Sequence, residues 1–189
     1  GYGLSLSQEI ERNLSEILDV PDIELPKSIQ ATLRPYQIVG YKWLMKNITH
    51  RMGALIADDM GLGKTLQVIS AITKCCEDHL LEGKPILIVV PAGVLHNWGD
   101  EFKKFSPSLK VKMRLGDKFW QKEKVDDEAP DVILTTYSTL TRHFQFFSEQ
   151  EWGLVVADEA QYLKNPSSAR SMAFRLLKAR EMIAMTGTP

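Results

Sequence analysis

The chain has 189 residues, 44% of them apolar and 25% charged, with a formal net charge of -1 at pH 7. That length holds one α/β domain with a full core, and the composition is that of a globular protein, not a disordered or fibrous one. The balanced charge excludes a globally basic nucleic-acid carrier, although a local basic patch would suffice for binding.

No apolar run reaches membrane-spanning length, and no basic region followed by an apolar core marks a signal peptide. The only two cysteines, Cys75 and Cys76, are adjacent. An ordinary disulfide between neighbours is geometrically disfavoured, and a reduced, cytoplasmic setting fits. The chain stops at Pro189, directly after a strand and a turn, and reads as a piece of a longer protein.

Ser5–Val20 has the pattern of an amphipathic helix. Ser5 and Gln8 form a capping box, and Ile10, Leu14, Ile17 and Leu18 form the stripe. Pro21–Pro26 breaks it, so residues 1–30 read as an extension and linker and 31–189 as the domain. A second helix runs from the first-turn proline Pro35 to about Arg51. Strands and helices then alternate. Ala54–Ala57 is a strand, then a helix from Lys64 to about Leu81. Ile86–Val90 is a strand, then a helix near Val94–Phe105. Val111–Leu115 is a strand, followed by the polar connection Gln121–Asp131. Val132–Thr136 is a strand, then a helix near Ser138–Phe147. Leu154–Ala157 is a strand, then a helix near Ser168–Leu177, and Met182–Met185 is the last strand. The strands are continuous apolar runs, the mark of a parallel sheet covered on both faces. The alternation predicts a doubly wound α/β sheet, whose ligands sit beyond the carboxyl ends of the strands.

The chemistry-bearing residues cluster at those ends. After the first strand, Gly61, Leu62, Gly63, Lys64, Thr65 and Leu66 have the order of a phosphate-binding loop opening a helix. The glycines let backbone amides approach phosphate oxygens, the lysine meets the β- and γ-phosphates, and the threonine hydroxyl meets Mg²⁺. The helix presents its positive end to the same anion. Asp158 and Glu159 end a later apolar strand. There a carboxylate can bind Mg²⁺ and its neighbour can polarise an attacking water. An Asp-Glu pair is a weak signal alone; an upstream phosphate loop makes it a strong one. Thr186, Gly187 and Thr188 follow another core strand, and their hydroxyls can sense the nucleotide state through the acidic pair.

Gln37 carries an amide able to pair with an adenine edge. The segments Pro91–Trp98 and Thr135–Leu140 follow strands, and their amides and hydroxyls can hold nucleic-acid phosphates. Trp98 shares helical spacing with Val94, Phe102 and Phe105, which reads as core packing rather than base stacking. The run Glu101–Lys124 is net basic, with Lys103, Lys104, Lys110, Lys112, Arg114, Lys118, Lys122 and Lys124. Such a run is more often a solvated face than a phosphate path. Cys75, Cys76 and His79 lack a second ligand pair at zinc spacing and read as helix packing.

Taken in order, the blocks are LRPYQ from Leu33, DDMGLGKT from Asp58, VVPAGVLHNW from Val89, TTYSTL from Thr135, DEAQ-YLKNP from Asp158 and MTGTP from Met185. The set resembles the first motor lobe of the SWI/SNF-like ATPases, a branch of the superfamily 2 helicase-like proteins. The resemblance implies a RecA-like lobe of a motor that tracks along double-stranded DNA, with ATP held against a second lobe. Carried over by position, it implies that Lys64 and Thr65 bind ATP and Mg²⁺, that Asp158 binds Mg²⁺ and that Glu159 activates water. It further implies that Gln37 contacts adenine, that Gln161 and Thr186 couple hydrolysis to lobe movement, and that Pro91, Ala92, Thr135, Thr136 and Tyr137 grip the DNA backbone.

Two departures stand out. Asp58 occupies the place of the loop's usual first glycine, although the family commonly has an acid there. The acidic box ends in Gln161, where eukaryotic members usually have histidine, and so is similar to prokaryotic members. The family's second lobe has no counterpart among these motifs, so the isolated chain is expected to be monomeric and to hydrolyse ATP negligibly. Two alternatives compete: a strand-separating DNA or RNA helicase of the same superfamily, and a nucleotide-binding interaction module without turnover.

Overall fold

The computed structural model describes residues 5–10, 12, 22–57, 63–117 and 129–187. Most of the first predicted helix, Gly61, Leu62, Thr188, Lys118, Lys122, Lys124 and most of the connection before Asp131 lie outside the described residues. Residues 6–10 are helical, and the capping box is present. The Ser5 N–H donates to Gln8 Oε1 at 3.0 Å and the Gln8 N–H to Ser5 Oγ at 3.3 Å.

Six strands make one sheet among the described residues: β1 (Ala54–Ala57), β2 (Ile86–Val90), β3 (Val111–Arg114), β4 (Val132–Thr136), β5 (Glu151–Ala157) and β6 (Lys178–Thr186). Their order is β1-β6-β5-β2-β4-β3, and every pairing is parallel. The helices are α1 (Pro35–Thr49), α2 (Lys64–Glu77), α3 (Leu95–Phe105), α4 (Tyr137–Arg142), α5 (Phe144–Glu149) and α6 (Ala169–Arg175). Short 3₁₀ turns at Ala92–Val94 and Ala160–Leu163 follow β2 and β5.

The unbroken apolar runs have the predicted cause. Side chains alternate across a strand, so a strand covered on both faces needs an apolar residue at each position. In β2, Ile86, Ile88 and Val90 enter a core with α1, α2 and α3, while Leu87 and Val89 enter a second core with α4, α5 and α6. All five are fully buried, each worth about 1.5–3 kcal/mol of transfer free energy. This is the RecA-like, doubly wound arrangement with helices on both faces.

Several boundaries differ from the sequence expectation. The helix α2 ends at Glu77 rather than near Leu81, because His79, Glu82 and Gly83 adopt left-handed backbone angles that no α-helix continues. The helix expected over Ser138–Phe147 is two helices, α4 and α5, separated at His143, where φ is -121° and ψ 36°. Strands β5 and β6 start earlier than their apolar runs, pairing Glu151 with Lys178 and Trp152 with Ala179. Their charged first residues hide this from an apolar pattern. Cys75 and Cys76 are free thiols pushed up to about 12 by burial, consistent with packing. Lys112, counted in the basic run, has its ammonium buried and so is no solvated surface charge.

Glu77 ties the linker to α2. Its carboxylate accepts the Lys27 N–H at 3.0 Å, and the Ser28 N–H and hydroxyl at 2.8 and 2.5 Å. Partial burial opposes the charge, but these bonds and the Lys74 ammonium outweigh it, so the group sits below the ordinary glutamate value. A depressed folded value stabilises the fold above the unfolded value of about 4.3 and stops doing so as pH falls through the folded value. The stability difference between the parent chain and Glu77→Gln should therefore be widest near neutral pH and shrink below pH ~4 in denaturant titrations.

Close approaches give a second test. A Cβ on Gly153, in the central strand β5, would lie 2.7 Å from Leu81 Cβ and 3.2 Å from the Lys84 carbonyl oxygen. One on Gly99 would meet only the mobile Met113 terminal methyl, at 2.4 Å. Gly153→Ala should destabilise by about 1–3 kcal/mol and Gly99→Ala by clearly less, as read from urea midpoints.

Candidate nucleotide site and adjoining groove

In an all-parallel sheet every carboxyl end emerges on one side, and the predicted residues follow these ends. Lys64 follows β1, Pro91 follows β2, Tyr137 follows β4, Asp158 follows β5 and Gly187 follows β6. The sheet order places the β1, β6 and β5 ends together, with the β2 and β4 ends beside them.

Gly63 stands before α2 with φ of 85°, a conformation that disfavours any side chain. A Cβ there would lie 1.9 Å from Gln37 Nε2. The Gln37 amide thus covers the last residue of the phosphate loop. Gln37 reaches it because α1 packs closely on α2: a Cβ on Gly40 would fall 2.1 Å from Gln67 Oε1. Gln37 is buried, and its Oε1 accepts the Arg34 N–H at 2.8 Å. One acceptor position of the predicted adenine contact therefore serves the α1 cap. Leu66 packs on the core, so only its main chain can face a nucleotide.

Lys64 crosses from α2 to β6, where Nζ donates to the Thr186 carbonyl at 3.1 Å. The Thr186 hydroxyl donates to Gln161 Oε1 at 3.1 Å, and Gln161 Nε2 donates to Glu159 Oε2. One relay of hydrogen bonds thus joins the last strand to the acidic turn. Glu159 has φ of 51°, and this left-handed turn carries its side chain out of the strand alternation. Its Oε1 lies 3.5 Å, and Lys64 Nζ 4.0 Å, from where a Cβ of Gly187 would stand.

Asp158 keeps the alternation. Leu154 and Val156 enter the core of α1 to α3, and the next residue of that parity is Asp158. It meets α3: the Trp98 indole N–H donates to Asp158 Oδ2 at 2.8 Å. Asp158 Oδ1 accepts the Glu159 N–H at 2.9 Å. Burial raises the carboxyl above its ordinary value, against those two bonds. A buried carboxylate with its charge disfavoured is well matched to a divalent cation, which restores the charge. With Gly63 held bare of side chain and the 14-residue helix α2 aimed at the same place, these residues fit a Mg²⁺-nucleotide.

Beside this site lies a groove of about 490 Å³ lined by Pro91, Ala92, Thr136, Tyr137, Tyr162, Ser168 and Arg170, among others. The structure brings four of the five predicted backbone-gripping residues to it. Thr135 is not among them: it is fully buried, and its hydroxyl donates to the Arg114 carbonyl at 2.8 Å. Thr136 caps α4, accepting the Thr139 N–H at 3.2 Å. Tyr137 stacks on Tyr162 with centroids 5.4 Å apart, and the Arg170 guanidinium lies 5.0 Å over the Tyr162 ring. Sequence reasoning missed Tyr162, Ser168 and Arg170, although they lie in and after the quoted YLKNP block.

Residues 36–189 match the family model of the SNF2-related domain. The chain belongs to this family. It is 37% identical to the "Chromatin-remodeling ATPase INO80" of Lodderomyces elongisporus over 88% of the chain and 11% of that protein. It is 38% identical to the "Helicase SWR1" of Debaryomyces hansenii over 96% of the chain and 11% of that protein. Among solved structures it is similar to the Sulfolobus solfataricus SWI2/SNF2 ATPase core in complex with dsDNA. That match has a TM-score of 0.78 and 41% identity, and covers 88% of this chain and 34% of that one. The chain thus spans about a tenth of the curated relatives and about a third of the ATPase core. The relatives come from fungi and an archaeon, so the SNF2-related resemblance is not confined to prokaryotes.

Gly63→Ala tests the packing of Gln37 on the loop. The new methyl should displace the Gln37 amide, destabilise the fold by about 1–2 kcal/mol and weaken binding of a fluorescent ATP analogue severalfold or more. Unchanged analogue affinity would show that this contact does not shape the site.

Proposed function

We propose that residues 31–189 form the first ATP-binding lobe of a duplex-DNA-dependent ATPase that moves along DNA and remodels protein–DNA complexes. Residues 1–30 are its extension, and the rest of the full-length protein supplies the second lobe. The observation that carries this reading is the convergence on one sheet edge. Lys64, Thr186, Gln161 and Glu159 are linked in sequence by hydrogen bonds, and Asp158 stands between them and the groove. A solved relative, the Sulfolobus solfataricus SWI2/SNF2 ATPase core, is itself a complex with dsDNA. Among the described residues no helix is long and apolar enough to cross a membrane. The proposed place of work is wherever the duplex lies, the nucleus or the nucleoid.

In this reading Thr65 and Asp158 hold Mg²⁺, with the α2 amino end and Lys64 on the phosphates and Gln37 toward the base. The bound ion would supply neutralisation of the phosphate charge. Glu159 offers Oε1, the oxygen beside Gly187, to the proton of the attacking water. Gln161 holds the other oxygen and, through its own bond from the Thr186 hydroxyl, reports its state to β6. Pro91, Ala92, Thr136 and Tyr137, with Ser168 and Arg170, hold one strand by its phosphates.

ATP turnover by the full-length protein should rise on adding duplex DNA, and rise less with single-stranded DNA or RNA. Glu159→Gln should retain nucleotide binding and lose turnover by at least about 100-fold, whereas Lys64→Ala should lose both. Stimulation by single strands alone would identify a strand-separating helicase. Full cellular function in Lys64→Ala would identify a scaffold.

A further inference from the structure

Asp158 is held from two directions by donors outside the phosphate loop and the acidic turn. The Trp98 indole N–H reaches its side chain, Nε1 to Oδ2, at 2.8 Å. The Tyr137 hydroxyl reaches its main-chain carbonyl at 2.6 Å. Trp98 stands on α3, which the chain enters through Pro91 and Ala92. Tyr137 is the first residue of α4. Pro91, Ala92 and Tyr137 all line the groove. The α4 wall of the groove and the segment that runs from Pro91 and Ala92 into α3 therefore each supply a donor to the same aspartate.

A buried indole N–H needs an acceptor, and a main-chain carbonyl normally serves. Trp152 follows that pattern: equally buried, it donates to the Phe147 carbonyl at 2.8 Å. Trp98 instead engages a carboxylate, and that carboxylate is the proposed Mg²⁺ ligand. Partners behind a metal-binding carboxylate fix its orientation and set its affinity. Here they fix Oδ2 toward α3 and, through the main chain, the start of the acidic turn.

We propose that Trp98 and Tyr137 are positioning residues that couple the groove to the Mg²⁺-binding carboxylate, tightening the hold on Asp158 when a nucleic-acid strand occupies the groove. This rests on the function proposed above. A shift of the Tyr137 ring moves a donor of Asp158 directly, and Pro91–Ala92 connect to the other donor, Trp98, along the main chain that leads into α3. Coupling of this kind is reciprocal: the factor by which duplex DNA tightens Mg²⁺-nucleotide binding equals the factor by which the nucleotide tightens DNA binding.

The test is equilibrium binding of a fluorescent, non-hydrolysable ATP analogue to the full-length protein, titrated with Mg²⁺, with and without duplex DNA. Trp98→Phe keeps an aromatic ring in the core and removes the donor. It should raise the Mg²⁺ concentration for half-saturation by about 10-fold and shrink the DNA-induced tightening. Trp152→Phe removes an equally buried donor that serves only the fold, and should leave the Mg²⁺ midpoint within about twofold. Tyr137→Phe, which keeps its stack on Tyr162, should also shrink the DNA-induced tightening. A Trp98→Phe midpoint within twofold of the parent, or an equal shift in Trp152→Phe, overturns the proposal. If Trp98→Phe does not fold, Tyr137→Phe decides alone, and undiminished tightening in it overturns the proposal. A parent protein whose Mg²⁺-nucleotide binding ignores duplex DNA also overturns the coupling, whereas one whose ATP turnover ignores duplex DNA refutes the function proposed above.

Discussion

The parallel pairing of β5 with β2 on one side and β6 on the other is the constraint from which the rest follows. In parallel pairing Ala157 lies beside Val89 and Ala184, and the chain leaves the three strands on the same side of the sheet, within two residues of one level. Asp158 is then delivered between the β2 exit, which leads to the groove, and the β6 exit, which leads to Lys64. Its own N–H donates to the Val89 carbonyl at 2.9 Å, extending the ladder one step beyond the strand. An antiparallel β5 would send the acidic pair to the far edge, away from both.

From that point two adjacent carboxylates receive different surroundings through backbone geometry alone. Asp158 continues the strand alternation into the core side, where burial and an indole await it. Glu159 turns left-handed, and its side chain meets Gln161 and the space beside Gly187. A left-handed glutamate is disfavoured by about 1–2 kcal/mol, a strain tolerated where surrounding contacts fix it. The turn separates two roles that a plain strand end would give to one face.

Much of this was legible in the sequence, and the reasons are physical. Sequence runs located β1, β2 and β4 to the residue: double-sided burial dictates the pattern in β2 and β4, while the edge strand β1 carries a similar run with Leu55 exposed. The phosphate-loop order and the Asp-Glu strand end placed the candidate residues at the strands' carboxyl ends, where the structure gathers them. What stayed hidden depends on tertiary pairing. The early starts of β5 and β6 carry charged residues that only their mutual pairing explains. The break at His143 falls inside a run that is apolar at helical spacing. Thr135 looked like its neighbours in the block, yet its parity turns the hydroxyl to the Arg114 carbonyl. Trp98 read correctly as core, but helical spacing says nothing of where its N–H points. The parity of Leu154, Val156 and Asp158 was the signal that could have found it.

Charge decides how far such a lobe can act alone. At the nucleotide end the hydrogen-bonded set brings one cation, Lys64, against two carboxylates, Asp158 and Glu159. A nucleoside triphosphate adds several negative charges, and the transition state of phosphoryl transfer spreads them over the equatorial oxygens. A divalent ion on Asp158 offsets part of this and makes binding feasible. Positive charge directed at the transferred phosphoryl is worth 10³–10⁵ in rate in related phosphoryl-transfer enzymes. In the present set Lys64 is already shared with the Thr186 carbonyl. On the function proposed above, such a site holds its nucleotide, and the remaining cation would come from the second lobe. In that reading hydrolysis would be conditional on lobe closure, and the proposed hold of Trp98 and Tyr137 on Asp158 would make it answerable to the groove.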